Sequence, residues 1–313
     1  MSADTRIAIP HWHILGIGAL GGLFAQRLSE QGHGVTVLNR LGCTEALQLT
    51  FNDNGAISKS LFSQSPCAAS DPIDFLWVST KAFDAKGAVN SVAHRLTPTA
   101  TVVLSGNGMG YQELIANSLE TDNIIVCSTT AGCTIDAAGH WRPAGVGETQ
   151  LGWLQSREAA PDWMADFERA PWQASWRSDI SALLLTKLAI NCAINPMTAL
   201  YDVNNGAVLE APLRPEFDQA VSEITTRLRW AGHAALAENL AAIIEQVAEQ
   251  TGANCSSMRR DWQRKRPTEV EAILGFFLEQ LIPIEDTNNL VTPPAPVLSR
   301  WLTALRQGEA NLE

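Results

Sequence analysis

The sequence predicts an α/β domain over residues 1–177 followed by an all-α domain over residues 178–313. Three observations predict it. Apolar, β-branched runs alternate with helix-compatible stretches through the first half, the order that builds a parallel sheet. A glycine-rich turn joins the first run to the first helix. After Asp179 the chain changes to long helical stretches punctuated by Pro212, Gly232, Gly252, Pro267 and Pro293-Pro294.

Composition narrows the function. At 313 residues there is room for two ordinary domains, and 46% hydrophobic with 18% charged residues is a folding composition. A net charge of −11 argues against nucleic acid or an anionic membrane as partner. Met1–Pro10 has no apolar run of the length a secretory leader needs. The six cysteines (43, 67, 127, 133, 192, 255) form no CxxC pair and no Cys/His metal spacing. That pattern fits a reduced cytoplasmic protein without a bound metal.

In chain order, His13-Ile-Leu leads into Gly16-Ile-Gly18-Ala-Leu-Gly21, followed by a helix over Leu20–Gln31 and a strand over Val35–Leu38. In such a βαβ unit the first glycine makes the tight turn and the second admits a pyrophosphate. The third lets helix pack on strand, and the anion rests on the helix N-terminus. This is a Rossmann-like dinucleotide site, with a structural turn as the alternative. Asn39-Arg40 stands where an NAD-preferring chain would carry an acidic residue. A guanidinium there suits a 2′-phosphate, which favours NADP(H); a solvated surface arginine is the other reading.

Asn52-Asp-Asn-Gly55 suits a hairpin turn, and Asp74–Thr80 is a buried strand. A helix runs from Lys81 to about Arg95, and strands follow at Thr101–Leu104 and Ile124–Ser128. Lys81 and Asn107 sit at strand ends, where open parallel sheets place ligands. Each also has a plain reading, as a helix-start residue and as a turn former. Gly132–Trp153 suggests antiparallel strands finishing the sheet, Asp162–Arg169 a helix and Trp172–Trp176 a last strand.

Helices are expected at 180–200, about 214–231, 234–250, 268–281 and 295–307. The first, ISALLLTKLAINCAINPMTAL, is apolar nearly all round, which marks a buried helix. Lys187, Asn191 and Asn195 break it at four-residue spacing, and each step overshoots a turn by only about 40°. They share one stripe. The chain has only five lysines, so one inside an apolar helix implies polar company and a cleft shared by the two domains. A membrane span is disfavoured by the same three residues.

Together these segments resemble the ketopantoate reductase (2-dehydropantoate 2-reductase) family over roughly residues 13–285. The resemblance rests on GIGALGG at 16–22, STKAF at 79–83, GNGMG at 106–110 and KLAINCAINPMTAL at 187–200. NNG at 204–206, NCSSM at 254–258 and TEVEAILGFF at 268–277 extend it. It implies NADPH-dependent reduction of 2-dehydropantoate to (R)-pantoate, a step of pantothenate and coenzyme A synthesis. It assigns Gly16, Gly18, Ala19, Leu20 and Gly21 to the dinucleotide turn, Arg40 to the 2′-phosphate, and Lys81 and Asn107 to the cofactor and reacting centre. Lys187 becomes the catalytic lysine, with Glu269 and Asn107 beside it. Asn191, Asn195, Asn205, Asn254 and Ser257 hold the substrate.

The chemistry suits those residue types. A hydride arriving at a ketone carbon leaves charge on its oxygen, which an ammonium stabilises and protonates. Asparagines both donate and accept. Ser257 and Asn254, three apart on one helical turn, would donate to a substrate carboxylate. Glu271, two residues after Glu269, should point elsewhere. Leu274 stands where related sequences often carry asparagine, and Ala131–Ile135 is an unusual version of a segment that commonly contains His and Ala. Two other readings remain: an NADP-linked reductase of another branched 2-keto acid, and a non-catalytic NADP-sensing regulator. The chain would act on a small molecule as a monomer or homodimer.

Overall fold

The computed structural model describes residues 9–145, 147–155, 157, 159–169, 172–283 and 291–311. The chain divides into two compact units, residues 1–106 with 111–180, and residues 107–110 with 181–313. The expectation of one division at 177/178 did not include the membership of 107–110 in the second unit.

The first unit is α/β. It runs β1 (His11–Leu15), α1 (Ala19–Glu30), β2 (Gly34–Asn39), β3 (Leu47–Asp53), β4 (Ala56–Pro66), β5 (Ile73–Val78), α2 (Ala82–Asn90) and β6 (Leu96–Leu104). Then come α3 (Tyr111–Ala116), β7 (Ile124–Thr129), β8 (Gly132–Ile135), β9 (Trp141–Ala144), β10 (Thr149–Trp153), α4 (Met164–Phe167) and β11 (Ala174–Trp176). The strands form one sheet in the order β11-β10-β7-β6-β5-β1-β2-β4-β3-β9-β8. From β7 to β4 every pair is parallel. Strand β1 lies between β2 and β5, so the winding reverses there, and a ligand belongs at the carboxyl ends of these strands.

The expected antiparallel strands of 132–153 do not stay together. β10 pairs antiparallel with β7, while the antiparallel β8–β9 hairpin sits at the opposite end, joined to β3 by Phe51 and Trp141. The helix expected to reach Arg95 stops at Asn90, and a 3₁₀ turn covers Ala93–Arg95. Helix α4 and strand β11 are shorter than 162–169 and 172–176. The hairpin at 52–55 forms as its Asn-Gly pair dictates: Asn54 and Gly55 have φ of 51° and 96°.

Aromatic side chains fill this core. Trp12, Trp77, Trp172, Phe24 and Phe167 are fully buried. Trp12 meets Trp163 edge-on at 5.2 Å, and Phe167 stacks on Trp172 at 4.7 Å. Such offset and edge contacts add to the gain from burial.

The second unit is helical: α5 (Ile180–Tyr201), α6 (Arg214–Trp230), α7 (Ala234–Glu238), α8 (Leu240–Gln250), α9 (Ser257–Gln263) and α10 (Pro296–Ala310). Its core gathers Leu188, Cys192 and Met197 of α5 with Phe217 and Leu228 of α6 and Trp301 of α10. Three points depart from expectation. The helix expected at 234–250 divides at Asn239. Glu271–Gln280, within the helix expected at 268–281, is a π-helix, with Leu281 N–H reaching back five residues to the Phe276 carbonyl at 2.9 Å. Helix α9, SMRRDWQ, is absent from the expected helices, because the segment is short and mostly polar. Ile180–Tyr201 is long and apolar enough to cross a bilayer by composition, and most of that stretch is buried inside the protein.

Candidate active site

In the first unit, the turn between β1 and α1 divides three jobs among three glycines. Gly16 has φ of 99°, and a Cβ there would lie 2.8 Å from the Thr80 backbone nitrogen. At Gly21 a Cβ would fall 1.9 Å from the Gly16 carbonyl oxygen, so the helix can approach the strand only with glycine. Gly18 is the opposite case: it is exposed, and a Cβ there would meet nothing within 4 Å. Among the described residues no side chain caps the α1 N-terminus, and its first turn carries no acid. An anion would find free N–H groups beside an open backbone, so these residues fit the pyrophosphate of a dinucleotide.

The neighbouring strand ends are tied together. Ser79 N–H donates to the Leu15 carbonyl at 2.9 Å. The Ser79 and Ser105 hydroxyls lie 2.8 Å apart, and Ser105 Oγ donates to the Val78 carbonyl. Trp77 Nε1 donates to Ser105 Oγ at 3.1 Å. The carboxyl ends of β1, β5 and β6 are thereby held in register. Lys81 is the half-buried residue that opens α2. After β2, Asn39 Oδ1 accepts the N–H groups of Leu41 and Cys43, and its Nδ2 donates to the Cys43 carbonyl. This knot displays Arg40, which is exposed.

In the second unit, Lys187, Asn191 and Asn195 are half-buried along one side of α5, between the fully buried Leu188, Ala189, Cys192 and Ala193. The Asn191 and Asn195 side chains make no hydrogen bond to any described residue, which leaves both amides available to a ligand. The structure brings Asn107 to Glu269: Nδ2 donates to Oε2 at 3.1 Å, and Glu269 is only 5% exposed. The turn carrying Asn107 is seated on the π-helix, where Met109 N–H donates to the Ala272 carbonyl at 2.9 Å. Gly108, with φ of 83°, is required there, because a Cβ would fall 2.4 Å from that same oxygen.

Asn205 and Asn254 also meet. Asn205 N–H donates to the Asn254 carbonyl at 3.0 Å, and Asn205 Nδ2 donates to Thr251 Oγ1 at 2.9 Å. Its Oδ1 is buried and has no partner among the described residues. Ser257 and Asn254 are exposed, and they do not share a helical turn. Helix α9 begins at Ser257 with Ser256 as its N-cap, so Asn254 lies outside it. Glu271 turns away as expected, into an ion pair with Arg306 at 2.6 Å. Leu274 is fully buried in the apolar core. Ala131 is buried, and Gly132–Ile135 forms β8.

Two family profiles match in sequence: ketopantoate reductase PanE/ApbA over residues 12–156, and its C-terminal counterpart over residues 179–281. The 2-dehydropantoate 2-reductase of Vibrio cholerae is 30% identical over 298 residues, covering 94% of this chain and 97% of that protein. The chain belongs to the ketopantoate reductase family. It is thus of an oxidoreductase family. The Shigella flexneri 2-dehydropantoate 2-reductase is 32% identical over 271 residues, covering 85% and 87%. A PanE/ApbA family ketopantoate reductase from Ralstonia eutropha shares the fold, with a TM-score of 0.81, 20% identity and coverage of 97% and 99%. So does a D-mandelate dehydrogenase solved with NADH and anilino(oxo)acetate, at TM-score 0.80, 18% identity and the same coverage.

Several contacts near the candidate residues involve side chains to which no sequence motif assigns a role. Thr198 of α5 and Ser256 share a buried hydrogen bond of 2.8 Å. Arg259 pairs with Asp202 at 2.8 Å and donates to Asn204 Oδ1, tying α9 to the segment that carries Asn205. Ser256, a residue type favoured at N-caps, accepts the Arg259 N–H at 3.0 Å and is the signal that could have exposed α9. Trp141 donates Nε1 to the Gly18 carbonyl at 3.1 Å, and no local pattern announces a contact across 123 positions.

Proposed function

We propose that this protein reduces 2-dehydropantoate to (R)-pantoate with NADPH, as a cytoplasmic enzyme of pantothenate and coenzyme A synthesis. The observation that carries the reading is the buried Glu269 carboxylate held by Asn107, in the same unit as the Lys187 stripe. A core this apolar keeps a carboxylate only with dedicated partners, and acid–base work is a reason to keep one.

A reduced nicotinamide bound here would supply the hydride for C2 of the keto acid. Gly16, Gly18, Ala19, Leu20 and Gly21 bind the pyrophosphate through backbone N–H groups and the α1 dipole. Arg40 takes the 2′-phosphate through charge-assisted hydrogen bonds, and Lys81 lies at the cofactor. Lys187 Nζ stabilises the charge growing on the ketone oxygen and gives it a proton. Glu269 and Asn107 hold the acid–base balance. Asn191 and Asn195 orient the substrate, as do Asn205, Asn254 and Ser257.

The readings to set against this one are a reductase of another branched 2-keto acid and a sensor without turnover. Initial rates of NADPH oxidation on 2-dehydropantoate and a panel of 2-keto acids decide between them. The reading predicts the highest kcat/KM on 2-dehydropantoate. A different keto acid ahead by tenfold would transfer the assignment to it, and NADPH binding without turnover on any would favour a sensor.

A further inference from the structure

We propose that Trp141 is a positioning residue for the dinucleotide turn, aiming the first peptide of α1 at the pyrophosphate of a nicotinamide dinucleotide. The inference rests on the reading of residues 16–21 as a dinucleotide site. The Gly18 carbonyl accepts two donors, Gly22 N–H at 2.9 Å and Trp141 Nε1–H at 3.1 Å. A trans peptide is planar, so its carbonyl and its N–H point in opposite directions. Holding the Gly18 oxygen from behind therefore fixes where the Ala19 N–H points. The second donor comes from outside the helix, so this peptide stays oriented even though α1 lacks a side-chain cap.

Gly22 supplies independent support. It lies outside the three-glycine motif, and the turn itself gives no reason for glycine there. A Cβ at Gly22 would fall 2.1 Å from Trp141 Nε1 and 2.7 Å from Cδ1 and Cε2. The indole thus lies directly on the helix backbone, and only glycine makes room for it. The ring is itself held in place. Trp141 pairs with Phe51 between β9 and β3, and their rings are 6.0 Å apart. Asp136 organises the hairpin turn, accepting from Ala138 and His140 N–H at 2.9 Å and pairing with Arg142 at 2.7 Å.

The test measures NADPH affinity by titration of the intact chain and, separately, steady-state kinetics with 2-dehydropantoate. Trp141→Phe keeps the ring's packing and removes the donor. It is expected to raise the NADPH Kd about three- to tenfold, the range for one lost hydrogen bond. At saturating NADPH, kcat and the keto-acid KM should stay within about twofold. Gly22→Ala, which displaces the indole, should raise the Kd similarly, and the double variant should be no worse than the weaker single variant. If Trp141→Phe does not fold, Gly22→Ala alone decides. A Kd within about twofold of wild type overturns the proposal, as does a parallel loss of Kd, kcat and thermal midpoint. A wild-type chain that binds neither NADPH nor NADH would sink the dinucleotide reading itself, and this inference with it.

Discussion

Asn107 Nδ2 donates to Glu269 Oε2 over 3.1 Å, joining the GNGMG turn to a carboxylate that is almost wholly buried. If the two act as one unit, their losses are not additive. Glu269→Gln and Asn107→Ala should each lower kcat/KM by about 10- to 100-fold, at or below the low end of single acid–base contributions. A double-mutant cycle should return a coupling of about 1–3 kcal/mol. Strict additivity would mean the bond has no part in turnover.

The dinucleotide turn predicts opposite outcomes for two neighbouring glycines. Gly18→Ala adds a methyl to open space, so the thermal midpoint should stay within about 2 °C, as surface substitutions do. Its NADPH Kd should nevertheless rise at least tenfold, because the methyl occupies the approach of the phosphates. Gly21→Ala drives a Cβ toward the Gly16 oxygen and should cost about 1–3 kcal/mol of stability. Denaturant melts and NADPH titrations on both variants check the pair. Equal folding losses would contradict it.

Arg40→Ala separates the two nicotinamide cofactors. The loss of a charge-assisted bond to a 2′-phosphate should weaken NADPH by about 1.5–3 kcal/mol and leave NADH nearly unchanged. Equal weakening of both cofactors would remove Arg40 from that role.

The first unit should lose stability in mild acid. Burial pushes the His13 imidazole down to about 4, helped by the charges of His11 and Arg95, against the Phe75 backbone and Asp74. Burial also lowers His11 and His33. In the unfolded chain these groups take up a proton near pH 6.5, whereas folded His13 does so only near 4. Stability therefore falls as pH drops through that window and is fully present above it. The thermal midpoint should be lower at pH 5 than at pH 7, and His13→Gln should flatten the difference. An unchanged profile in the variant would contradict the assignment.

Local patterns made the site's parts readable in advance. The order glycine turn, helix, strand is set by neighbouring residues, and the Lys187 stripe shows at helical spacing within a single segment. What escaped was set by distant partners. The β8–β9 hairpin lies beyond β3 because Phe51 and Trp141 pair there. The π-helix at 271–280 is another case, since its Ala272 carbonyl receives Met109 N–H from more than 160 residues earlier. Asn254 and Ser257 do not share the expected helical turn for a local reason: the Ser256 cap starts α9 at Ser257, which leaves Asn254 outside it.

Lys187→Ala is the most direct test of a keto-acid reductase with a lysine proton donor. NADPH oxidation on 2-dehydropantoate should fall about 10²- to 10³-fold in kcat, while the NADPH Kd stays within about threefold. Turnover at the wild-type rate in the variant would contradict the account.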